Sequence, residues 1–183
     1  AGLDGLAGPL HGLANQECLN SVIELMHKFG GAPTTEQVRQ YAKDTLDAGK
    51  VIPGYGHGVL RVTDPRFTCF VNFGQKHCAN DPVFKTVATI FEVVPEILKQ
   101  IPKIKSPWPN VDASSGSLLY HYGVKESLYY TVLFGVSRAM GVCAQAVWSR
   151  ALMMPITRPK SVTTEWLEQK AKTGISARQK VAE

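Results

Sequence analysis

Val51-Ile52-Pro53-Gly54-Tyr55-Gly56-His57-Gly58-Val59-Leu60-Arg61-Val62-Thr63-Asp64-Pro65-Arg66 is the stretch on which the fold turns. Three glycines and Pro53 surround one tyrosine and one histidine, a composition hostile to helix and strand alike. Pro53 to Gly58 is therefore expected to be a tight irregular loop, with His57 as its main polar group. Thr63-Asp64-Pro65 then reads as a helix start, Asp64 as N-cap and Pro65 at the first helical position. Arg66 falls in the first helical turn, where free N–H groups and the dipole already favour an anion. The segment suits either a carboxylate site with a carbonyl beside it or a plain surface turn before a capped helix.

Outward from this loop the pattern is helical. Leu10 to Phe29 carries an apolar stripe ending at Gly30-Gly31. Thr34-x-x-Gln37 is a capping box for a helix to about Ala48. A helix from Pro65 to about His77 is followed by one opened by Asp81-Pro82, which Pro95 is expected to kink or split. Residues 101–109 read as loop, and Ala113 to Tyr122 as a short helix. Lys125 to Met153 is a helix apolar nearly all round, which needs protein on most sides. Thr163 or Thr164 starts a last amphipathic segment. No β alternation is found, so the chain is all-α.

With 183 residues, 44% hydrophobic and 19% charged, the chain can bury one good core. No run of eighteen apolar residues occurs, and no membrane span is expected. The +5 charge is scattered, which suits an anionic ligand better than nucleic acid. Cys18, Cys69, Cys78 and Cys143 form no C-x-x-C pair, so no metal site is expected. Cys18 and Cys143 read as small buried hydrophobes.

Several polar residues stand at constrained positions. His11 is placed at the start of the first long helix, where the dipole favours neutral imidazole, a donor able to stabilise an enolate. It could equally be a surface histidine. Asp112, in Asn110-Val111-Asp112-Ala113, reads as an N-cap or as a general base at a cleft mouth. Arg138, alone in an apolar helix, needs a partner, either a structural acid or a ligand carboxylate. Arg158 is held between Pro155 and Pro159. Lys103 and Lys105 meet phosphate or water. His27, His77 and His121 are taken as structural. Together, two histidines, one aspartate and three constrained arginines suit acid/base work on a polycarboxylate.

At these residues the chain resembles the citrate synthase family, in its mitochondrial, eukaryotic form. The matching motifs are Leu6-Ala7-Gly8-Pro9-Leu10-His11-Gly12-Leu13-Ala14-Asn15-Gln16-Glu17, Pro53 to His57 with Leu60-Arg61 and Thr63 to Arg66, Pro107-Trp108-Pro109-Asn110-Val111-Asp112, Tyr129 to Arg138, and Arg158-Pro159-Lys160-Ser161. The resemblance implies residues 1–10 as the end of a large-domain segment, 11–123 as a small CoA-binding domain and 124–183 as C-terminal large-domain helices. It implies that His11 hydrogen-bonds the acetyl-CoA thioester oxygen, Asp112 removes the methyl proton and His57 polarises the oxaloacetate ketone. Arg66, Arg138 and Arg158 would hold carboxylates, with Arg158 given to the partner subunit of a homodimer. Val51, Ile52, Pro53, Gly54, Tyr55 and Gly56 would pack on the CoA adenine, with Lys105 and Asn110 along the CoA path.

No cofactor is implied, and the location would be the mitochondrial matrix. Alternatives are a 2-methylcitrate synthase using propionyl-CoA and, in another class, a non-catalytic structural or filament-forming subunit. Ser114 departs from the family's usual histidine, Gly58 from a common alanine and Met153-Met154 from a Gly-Phe pair. The family's chain is more than twice as long, so residues 1–183 alone are expected to be inactive.

Overall fold

The computed structural model describes residues 2–155 and 162–173. Among these residues seven α-helices follow a short 3₁₀ turn at Asp4–Leu6: α1 Ala14–Phe29, α2 Thr35–Asp47, α3 Pro65–His77, α4 Pro82–Leu98, α5 Asp112–His121, α6 Leu128–Ala151 and α7 Thr164–Thr173. No strand occurs among them, and an isolated bridge joins Tyr55 to Pro109. The chain divides into two compact units, Ala1–Ala144 and Gln145–Glu183, with the boundary inside α6.

The local signals act as expected where the partners are close in sequence. Thr34 and Gln37 form a reciprocal capping box at α2. Asp64 accepts from the Arg66 N–H at the start of α3, and Asp81 from the Phe84 N–H at the start of α4, each with proline in the first turn. Pro95 does not split α4, which runs on to Leu98. Standing in the last turn, it removes one hydrogen bond where the ladder is already ending.

The first unit packs its core around α4. Leu25 of α1, Val38 and Ala42 of α2, Ile52 of the loop and Val93, Val94, Ile97 and Leu98 of α4 form one cluster. Leu19, Val22, Val83, Val87 and Tyr130 form another. The Tyr130 hydroxyl donates toward the Val124 carbonyl (2.7 Å) and lies 3.2 Å from that of Gly116, which ties α6 to α5. Burying such side chains contributes roughly 1.5–3 kcal/mol each.

Among the residues of α6 only Tyr130 is buried. Leu128, Tyr129, Val132, Leu133, Val136 and Met140 are exposed. Cys143 is exposed too, contrary to expectation, because no described residue of the first unit packs on its side of the helix. The helix is also long and apolar enough to cross a membrane by length and composition alone, with a mean hydropathy of 1.2. No unbroken apolar run announces this, because its scattered polar residues interrupt the run without lowering the average much. In the second unit α7 is capped by Thr163, whose Oγ1 accepts from the Trp166 N–H.

His121 of α5 lies 2.9 Å from the Asp81 carboxylate, so one aspartate serves both as helix cap and as ion-pair partner. Burial pushes the Asp81 carboxyl up, but hydrogen bonds from His121 and the α4 N–H groups bring it below its ordinary value of 3.8. A depressed carboxyl contributes stability above its unfolded value, and that contribution is lost as the pH falls through the folded one. Asp81→Ala is therefore expected to cost about 1 kcal/mol near neutral pH. Thermal melts of the two proteins are expected to converge below about pH 4.

Candidate active site

The irregular loop is held in place by contacts distant in sequence. Asn110 N–H donates to the Gly54 carbonyl (2.9 Å), Gly56 N–H to Trp108, and Asp64 N–H to Pro109. The Asn110 side chain donates through Nδ2 to the Gly56 carbonyl (3.0 Å) and accepts at Oδ1 from the Asp112 N–H (3.0 Å). Asn110 thus does the capping expected of Asp112. The Asp112 carboxylate, in the first turn of α5, is left for other work.

One cleft of about 770 Å³ is lined by His11, Asn15, His57, Arg66, Asn110, Asp112, Ser115 and Arg138, among others. Five of the six expected acid/base and arginine residues meet there. Arg158 lies outside the described residues. Lys105 is exposed and does not line this cleft. Val51, Ile52, Tyr55 and Gly56 border a second hollow of about 400 Å³ with Leu98, Ile101 and Ile104, and Gly56 borders both.

His57 Nδ1 accepts from the backbone N–H groups of Val59 and Leu60, both at 2.9 Å. The ring proton therefore sits on Nε2, free to be donated. Arg61 closes the same turn, its guanidinium donating to the carbonyls of His57, Gly58 and Leu60.

His11 does not start α1. Gly12 folds back so that its N–H donates to the Leu6 carbonyl (2.8 Å), and the helix begins at Ala14. A Cβ on Gly12 would come within 2.1 Å of that oxygen, so glycine is required there. His11 sits in the resulting turn, edge-on to Phe134 at 5.1 Å. Arg138 supplies its other neighbour, with a guanidinium nitrogen 3.4 Å from His11 Nε2. Arginine only donates, which leaves the His11 proton on Nδ1. Arg138 also donates to the Gly2 carbonyl and covers the Phe134 ring at 5.3 Å. Among the described residues its partners are thus a carbonyl and an imidazole, not an acid.

Arg66 grips Asp64 through Nε (3.1 Å) and Nη2 (2.8 Å). Asp64 is 1% exposed, and the Arg66 hydrogen bond holds its carboxyl low. Two of the five guanidinium hydrogens are used, and three remain for a ligand. Asp112 is the reverse case. Burial raises its carboxyl above the ordinary range, offset in part by a hydrogen bond from Asn15 and the charges of Arg66 and His11. A carboxylate raised in this way is a stronger proton acceptor.

The model of the citrate synthase C-terminal domain matches residues 1–160. The chain belongs to the citrate synthase family. It is 59% identical to the mitochondrial citrate synthase of Daucus carota over 94% of this chain and 36% of that protein. It is 56% identical to the mitochondrial citrate synthase of Citrus maxima, with the same coverage. The fold is that of Thermoplasma acidophilum citrate synthase, solved as a ternary complex with carboxymethyl coenzyme A and oxaloacetate. That likeness has a TM-score of 0.67 and 23% identity, over 97% of this chain and 43% of that one. The chain spans about a third of the length of the curated relatives it matches.

Within this citrate synthase segment, two residues at the site were not singled out from sequence. Arg61 stands inside the quoted motif, where it was given no role of its own. Asn15 lay in the first histidine motif, yet nothing local marks it as a neighbour of α5. Ser114, where the family usually has histidine, is fully buried, and its hydroxyl meets no partner.

Proposed function

We propose that this segment carries the acid/base half of a citrate synthase, which joins acetyl-CoA, oxaloacetate and water into citrate and CoA. The observation that carries the reading is the single cleft in which His11, His57, Asp112, Arg66 and Arg138 meet. Asp112 takes a methyl proton from the thioester, and His11 Nδ1–H hydrogen-bonds the oxygen on which enolate charge develops. The enol(ate) carbon attacks the oxaloacetate ketone, whose oxygen is polarised by His57 Nε2–H. Water then cleaves the thioester and releases CoA. Arg66, Arg138 and Arg158 hold carboxylates, with Arg158 reaching a partner subunit's site.

The apolar hollow beside Val51 to Gly56 suits a flat adenine, with Lys105 and Asn110 on the CoA path. Residues 11–123 form the small domain, and 124–183 are large-domain helices. Arg138 facing the cleft supports a protein setting for α6, clasped by the rest of a homodimer and not by lipid. Acetyl-CoA is a substrate here and no cofactor takes part. The mitochondrial names of the relatives support a matrix location.

Arg66→Leu and Arg138→Leu, each made in a complete enzyme carrying this segment, test the reading. Each leaves a substrate carboxylate without a charge-assisted partner, and oxaloacetate binding is expected to weaken by about 1.5–3 kcal/mol. Calorimetric titration giving unchanged affinity in both variants would remove the carboxylate cage. Turnover of acetyl-CoA against propionyl-CoA in the same enzyme assigns the thioester.

A further inference from the structure

We infer that Asn15 is a positioning residue of the acid/base site, its amide reaching from α1 to α5 to hold the Asp112 carboxylate as proton acceptor. The inference rests on the condensing function proposed above. Asn15 stands in the first turn of α1 and lines the cleft with Asp112 and Ser115, one turn apart on α5. One of the two Nδ2 hydrogens goes to the Ser115 hydroxyl, which leaves the other for the Asp112 carboxylate, one turn away in the same cleft lining. Oδ1 is buried, accepts no hydrogen bond, and packs where a Cβ on Gly116 would come within 2.6 Å.

Other groups reach Asp112 through charge. His11 faces it from the turn before α1, Arg66 and Asp64 from the start of α3, and Cys18 from α1, while Arg138 lines the same cleft from α6. Cys18 is buried and pushed up to about 12, so it stays a neutral thiol. The Asn15 hydrogen bond opposes the burial of the carboxylate and fixes its direction.

The test is the pH dependence of turnover in a complete enzyme carrying this segment. Wild type is compared with Asn15→Leu and Asn15→Asp, with Asp112→Asn as a control. Without the donor, the carboxylate titrates higher. The acid limb of kcat in Asn15→Leu is therefore expected to move up by about one pH unit, a loss of up to about tenfold on that limb. The oxaloacetate KM stays close to wild type, because Arg66 and Arg138 are left in place. Asn15→Asp, which adds a negative charge at the same size, moves the limb further and carries the test if the leucine variant does not fold.

Folded variants whose acid limb stays where wild type has it would overturn the inference, as would a lowered plateau without movement. An Asp112→Asn enzyme that keeps its turnover would instead overturn the functional reading itself. Loss of turnover in Asp112→Asn together with an unmoved Asn15 limb would remove this inference alone.

Discussion

Asp112→Asn is expected to lower condensation by at least about a hundredfold and to leave oxaloacetate binding intact. The amide is nearly isosteric, but it cannot take the methyl proton. The supporting contact made by Asn110 survives, because it runs to the Asp112 backbone N–H and not to the side chain. Arg66 and Arg138 are untouched, so the proposed carboxylate contacts stay in place. Turnover and oxaloacetate titration of the same variant separate the two effects. Residual activity above about a tenth of wild type, a loss under ~1.4 kcal/mol, would show that another group is the base.

Gly54→Ala is expected to have the other large effect, and it acts through the loop. Gly54 has φ +81, and a Cβ there would approach Ala113 Cα to 2.8 Å, Ala113 Cβ to 2.9 Å and Cys18 Sγ to 2.9 Å. The first of these is α5 backbone, which cannot rotate away. Left-handed backbone strain and overpacking together are expected to cost about 2–4 kcal/mol. Relief comes by lifting the loop from α1 and α5, which carries His57 away from Asp112 and breaks the Asn110 hydrogen bond to Gly54. Both Tm and kcat are expected to fall. Gly58→Ala is the matched control, because nothing lies within 4 Å of its Cβ. It is expected to stay within about 0.5 kcal/mol of wild type. Equal behaviour of the two alanine variants would remove the packing argument.

What the sequence makes legible follows how local each interaction is. The caps Thr34, Asp64 and Asp81 act within three residues, and each is found where its motif places it. The loop at 51–64 is legible because glycine and proline forbid its alternatives. The start of α1 is misread for the opposite reason. Leu10 and Leu13 keep the helical period, but the Gly12 contact with Leu6 and the Thr131 bond to the Gly12 carbonyl shape a turn there.

Asp112 looked like a cap because local rules favour it. Asn110, two residues earlier, took that role once the loop at Gly56 was in reach of its side chain. The partners of Arg138, His11 and the Gly2 carbonyl, lie more than a hundred residues away, so no local pattern names them. The five-residue cleft was expected as a set, through motif resemblance, while the tautomers of His11 and His57 and the contact of Asn15 with Ser115 depend on how the chain folds.

The measurement that bears most directly on the central claim is thiol release from acetyl-CoA by a complete enzyme carrying this segment. The account predicts free CoA on addition of oxaloacetate, citrate formed in equal amount, and no release when oxaloacetate is left out. Release that is indifferent to oxaloacetate, or none from a folded complete enzyme supplied with both substrates, would contradict it.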